Sequence, residues 1–191
     1  MAATVDWKPS TDTYDRRVFR HIDELIGCAC FPDLLCRRLF PNGKEITESA
    51  AVYHYVRWHL PRFALRDPSV AVVSVGDGHT PRTAALFAFR SAWQCHSVDP
   101  CLRDKAWDVQ RLHCHRKRIE DCSFDFERVV IVGVHSHASI AETLAHVRGR
   151  DRALVWMPCC RRPDAPRPPD VDKVDPGVWS PQNRLLVWER I

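Results

Sequence analysis

The 191-residue sequence predicts an α/β domain with a mostly parallel sheet flanked by helices, carrying a helical N-terminal extension. Three observations predict it. Val70–Val75 and Val129–Val134 are short, continuous runs rich in β-branched residues, the pattern of strands buried on both faces. Between such runs, apolar residues recur at helical spacing, so strands and helices alternate. Before Ser69 the apolar residues keep the helical period alone. The organisation is therefore an extension over residues 1–66 and a sheet domain over residues 67–191.

Residues 1–13 are polar and read as a loose arm. From Tyr14 to Phe40, Val18, Phe19, Ile22, Leu25, Ile26, Leu34, Leu35 and Leu39 follow helical spacing, and Pro32 divides them into two short helices. Pro41-Asn42-Gly43 is a turn. Thr47 fits the N-cap of a third helix through Val52, Tyr55, Val56 and Trp58, ending before Pro61. Val70–Val75 is the first strand. Pro81–Ser91 is a helix, with Thr80 as N-cap and Pro81 as its first residue. Trp93–Val98 is a second strand, ended by Asp99-Pro100, and Cys101 to about Gln110 reads as a helix. Leu112–His115 is a short third strand, Arg128–Val134 a fourth and Ala153–Met157 a fifth, with a helix over Ala138–Val147 before the last of these. Arg161–Pro181 is rich in proline and charge and reads as a long loop or lid. Leu185–Trp188 is a final strand, expected to run antiparallel.

Composition sets outer bounds. Apolar residues are 45% and charged residues 27%, ordinary for a soluble globular chain, and no apolar run approaches the roughly 20 residues of a membrane-spanning helix. A net charge of +4 admits an anionic partner without arguing for one. Nine cysteines, an odd number, follow an N-terminus with no apolar signal region. The expectation is free thiols and an intracellular setting, cytoplasmic or nuclear.

The first strand opens through Gly76-Asp77-Gly78-His79-Thr80 into a helix. Glycines let backbone approach a ligand, and a helix N-terminus favours negative charge. About 20 residues on, at the end of the second strand, Asp99 offers a carboxylate, an acceptor suited to ribose hydroxyls. The same residues also suit a plain turn and an N-cap. A third glycine is missing, which disfavours a dinucleotide. The unit Val70–Asp99 is nevertheless ordered as a Rossmann-like nucleoside site. It resembles the first motifs of class I S-adenosylmethionine-dependent methyltransferases, and the likeness extends over roughly residues 69–160. That resemblance implies S-adenosylmethionine as cofactor, with Gly76, Asp77, Gly78, His79 and Thr80 around it and Asp99 at its ribose. The chain departs from the family in two places: Ser74 and Val75 stand near its first-strand carboxylate, and Thr80 replaces its last loop glycine.

The fourth strand ends Gly133-Val134-His135-Ser136-His137. Ligands of open α/β sheets sit beyond the carboxyl ends of strands, which points His135 and His137 at the cleft as candidate catalytic residues. With Cys159-Cys160 after the fifth strand, this is similar to a branch of the methyltransferase fold that includes a tRNA 2′-O-methyltransferase family and its relatives. There strand four closes His-x-Cys-Gly; here His137 and Ala138 stand in the last two places. The resemblance implies methyl transfer to RNA or another nucleophile. His135, His137, Cys159 and Cys160 are also zinc-competent donors, but adjacent cysteines and His-x-His are not standard ligand spacings, so no metal is assigned. Cys28, Cys30 and Cys36 lack a partner motif. His113–Arg118 is a basic stretch suited either to phosphates or to a solvated strand edge. Two other readings stay open: a catalytically inactive Rossmann-like binding or interaction protein, and a histidine-dependent nucleotide or phosphoester enzyme on the same fold.

Overall fold

The computed structural model describes residues 15–160 and 163–191. The arm expected over residues 1–13, and residues 161 and 162 at the start of the expected loop, lie outside the described residues.

Three helices open the described chain. Helix α1 (Arg16–Ile26) is capped by Asp15, whose carboxylate accepts from the Arg17 amide at 2.9 Å. Helix α2 (Phe31–Cys36) carries Pro32 in its first turn, where the missing N–H is not needed. Helix α3 (Gly43–His59) begins earlier than the sequence reading placed it. Asn42 caps it by accepting from the Glu45 amide at 3.0 Å. Thr47 lies inside the helix, and its hydroxyl donates to the Lys44 carbonyl at 2.7 Å. The apparent turn at Pro41-Asn42-Gly43 is thus the helix start.

Seven strands follow: β1 (Val70–Val75), β2 (Gln94–Val98), β3 (Leu112–His115), β4 (Phe124–Val134), β5 (Val147–Met157), β6 (Val171–Val174) and β7 (Arg184–Trp188). They form one sheet in the order β3-β2-β1-β4-β5-β7-β6. The first five run parallel; β7 is antiparallel to β5, and β6 is antiparallel to β7. Helices α4 (Arg82–Arg90) and α5 (Ile140–His146) join β1 to β2 and β4 to β5. The fold is α/β and Rossmann-like.

Successive strand residues face opposite sides, and the sequence uses both. Val70, Val72, Val130, Val132, Val155 and Val187 pack with α3 and α4, and Leu34 of α2 belongs to the same core. Ala71, Val73, Val129, Ile131, Leu154 and Trp188 form the other face with Ile119 and Ile140. The N-terminal helices therefore share a core with the sheet. No helix among the described residues is long and apolar enough to cross a membrane, and all nine cysteines are free.

Four expectations are corrected. Residues 101–110 form no helix; buried Leu102 and Trp107 stand five apart, off helical spacing, and Asp108 adopts φ +47°. Thr80 does not cap α4: its hydroxyl donates to the Leu39 carbonyl at 2.6 Å, while Asp77 accepts from the Thr83 and Ala84 amides at 3.3 and 3.2 Å. Strands β4 and β5 are each 11 residues long and reach back to Phe124 and Val147, into segments whose charges hide the strand pattern. The expected 161–181 loop contains β6, a four-residue edge strand that is mostly exposed.

Candidate functional site

The carboxyl ends of β1 to β4 lie on one edge of the sheet. The chain leaves β1 toward β2 on one side while β4 occupies the other, so β1 and β4 form the topological switch point where such sheets bind ligands. A cleft of about 470 Å³ opens there, within the range of small-molecule sites. Its wall is built from Val75, Gly76 and Gly78 after β1; Val98 and Asp99 after β2; Lys117 to Glu120 after β3; and His135 to Ala138 after β4.

The glycine loop has the backbone that only glycine adopts without strain, φ +84° at Gly76 and φ +76° at Gly78. At Gly76 an added Cβ would sit 2.5 Å from Ser136 Oγ, so this glycine also lets the loops after β1 and β4 meet. The Gly76 amide donates to the Val98 carbonyl at 2.9 Å. The Gly78 amide donates to Asp99 Oδ2 at 2.7 Å, and the Cys101 amide donates to Asp99 Oδ1 at 2.7 Å. Asp99 thus faces the cleft with both oxygens anchored by backbone.

The other loop residues turn elsewhere. Asp77 is fully buried, accepting from the Ser97 hydroxyl at 2.8 Å as well as from the two α4 amides. Thr80 is buried against Leu39, and exposed His79 pairs its Nδ1 with the Cys101 carbonyl at 3.0 Å. Of the six residues assigned to a cofactor from sequence, Gly76, Gly78 and Asp99 line the cleft; Asp77, His79 and Thr80 do not.

The two histidines after β4 part company. His135 adopts φ +52°, a left-handed conformation uncommon for a residue with a side chain, and its Nε2 meets Glu48 Oε1 of α3 at 2.9 Å. Glu48 is only 1% exposed and also pairs with Lys44 at 3.2 Å. Burial would raise its carboxyl, but the hydrogen bond and charge of His135, joined by Lys44, outweigh that and hold it below the usual range. His135 Nδ1 is buried without a hydrogen-bond partner. His137 instead is exposed and lies with Cys159 and Cys160, their ligand atoms all within 4.8 Å of one another.

Sequence reasoning missed Glu48, 87 residues from its partner and marked by no motif. It also missed the wall after β3. The basic run Arg116–Arg118 was visible, and the rule that sites lie beyond strand ends would have led from His115 to Ile119 and Glu120. Comparison with protein-family models, with curated proteins and with solved structures found no match.

Proposed function

We propose that this protein is an S-adenosylmethionine-dependent methyltransferase whose cofactor lies across Gly76, Gly78 and Asp99. The observation that carries the reading is an open cleft at the switch point with a carboxylate on its wall at the end of β2. The residues present fit a nucleoside. A carboxylate offers about four acceptor positions, and two amides use two of those of Asp99, so acceptor capacity remains for ribose hydroxyls. When bound, the cofactor supplies an activated methyl group. The protein's part is to hold the two reactants in contact and exclude water, a role positioning alone can fill. Lys117 and Arg118 on the cleft wall suit an anionic acceptor, and RNA is the class proposed.

A specific observation favours a second reading, a nucleoside-binding or interaction protein without catalysis. His135 has one nitrogen held by Glu48 and the other buried, so its ring presents no free nitrogen to a substrate. Titration calorimetry with S-adenosylmethionine and S-adenosylhomocysteine tests the shared premise. Wild-type protein is expected to bind both, and Gly78→Val and Asp99→Ala to weaken binding at least tenfold. Binding that survives both substitutions unchanged removes the assigned site. Binding without methyl transfer to bulk RNA supports the second reading.

A further inference from the structure

We infer that His137, Cys159 and Cys160 form a zinc site with three protein ligands, at the rim of the cleft and independent of the cofactor reading. Adjacent cysteines and His-x-His are not standard ligand spacings, which is why the sequence argued against this. Here β5 ends at Met157, Pro158 follows, and the chain bends at Cys160. Both sulfurs thereby come within 4.8 Å of each other and of the His137 ring nitrogen. A tetrahedral zinc, with Zn–S of about 2.3 Å and Zn–N of about 2.1 Å, sets its ligand atoms about 3.5–3.8 Å apart. At these exposed and half-buried positions, side-chain rotation can close the remaining distance of about 1 Å.

Several of the chain's other cysteines and histidines are already engaged. Cys28, Cys95 and Cys122 each donate to a backbone carbonyl, and His135 is held by Glu48. Among the described residues, no hydrogen bond or ion pair engages His137, Cys159 or Cys160. Two thiolates and one imidazole are a donor set that zinc favours over hard oxygen-seeking cations. The Asp164 carboxylate does not belong to the cluster; it holds the start of α5, accepting from the Ser139 hydroxyl and, at 2.8 Å, from the Ile140 amide. The fourth position is left to solvent in a hollow of about 370 Å³, which shares His137 and Ser136 with the main cleft. Three protein ligands with one open position is the pattern of reactive zinc sites; structural ones close all four.

The test uses the 191-residue chain, stripped with a chelator, reloaded with zinc chloride, dialysed and assayed by plasma mass spectrometry. Wild-type protein and the exposed-cysteine control Cys36→Ser are expected to retain one zinc per chain. His137→Ala and the double variant Cys159→Ser/Cys160→Ser are expected to lose it by more than about tenfold, the scale seen even for groups that only support a ligand. Circular dichroism confirms that the variants fold. A second measurement needs no variant: zinc is expected to shield Cys159 and Cys160, but not Cys36, from alkylation mapped by peptide mass spectrometry. Zinc absent from the wild type, zinc kept by the double variant, equal alkylation with and without zinc, or binding of copper(I) to the exclusion of zinc each overturns the proposal.

Discussion

Replacing Gly76 with alanine tests the geometry on which the cleft depends. The new Cβ would stand 2.5 Å from Ser136 Oγ, 2.7 Å from its Cβ and 2.9 Å from its Cα. The last of these is backbone, and it follows buried β4, so it has little room to retreat. Two costs combine. The left-handed backbone at φ +84° costs about 1–2 kcal/mol with any L side chain. Forcing an atom into a packed contact costs about 1–3 kcal/mol more. The sum, about 2–5 kcal/mol, is a large share of the roughly 5–15 kcal/mol that stabilises an ordinary domain. Gly78→Ala is the internal control. Its φ of +76° brings the same backbone cost, but its Cβ would meet only the end of the Arg82 side chain, at 3.2 Å, and no backbone. Urea unfolding is the assay, with the midpoint expected to fall in both variants at unchanged slope, and further in Gly76→Ala. Ser136→Gly removes two of the three clashing atoms, so adding it should recover part of the loss specific to position 76. Equal destabilisation at positions 76 and 78, or no recovery in the double variant, refutes the close approach of the two loops.

Other consequences follow from the same structure. His96 lies among His113, His115, Phe124 and Phe126, and burial, followed by the charges of His113 and His115, pushes it down to about 4. A histidine held neutral by the fold adds stability that is complete above its unfolded value of about 6.5 and drains away as pH falls toward 4. The full shift is worth about 3 kcal/mol, which solvent around the half-buried ring reduces to about 1–2 kcal/mol. Melting temperature should therefore fall between pH 6.5 and pH 4, and His96→Phe should flatten that limb; an identical acid profile in the variant contradicts the assignment. Asp77→Ala strips three hydrogen bonds from the start of α4 and from Ser97, and should cost about 1–3 kcal/mol in chemical denaturation. Glu48→Ala leaves the His135 Nε2 and Lys44 without their shared partner and should destabilise by a similar amount, whereas a neutral result would show that Glu48 does not hold the loop after β4.

The parts of this fold that were legible in the sequence are those dictated by burial. Val70–Val75 and Val129–Val134 are apolar on both faces because both faces of the sheet are covered, and their short length and β-branched residues mark them as strands. Residues 101–110 misled because Leu102 and Trp107 anchor an irregular segment at two points, and anchoring needs no period. Strand β6 was hidden because an exposed edge strand has no apolar face to display. At the site, the glycines and Asp99 could be found because loop geometry requires them locally. The exchange of roles between Asp77 and Thr80 could not, since both are short polar residues suited to cap a helix and only the direction of Leu39 decides between them. Glu48 with His135, and His137 with Cys159 and Cys160, are tertiary meetings that leave no trace in spacing along the chain.

The place where a nucleoside binds decides the proposed function. Amide chemical-shift mapping of isotope-labelled protein during titration with S-adenosylhomocysteine measures that directly. Saturable shifts are expected at Gly76, Gly78, Asp99 and Ile119, around the open ends of β1, β2 and β3, with the amides of α1 and β6 unmoved. A titration that moves no resonance, or moves those of α1 and β6 while the glycine loop stays still, contradicts it.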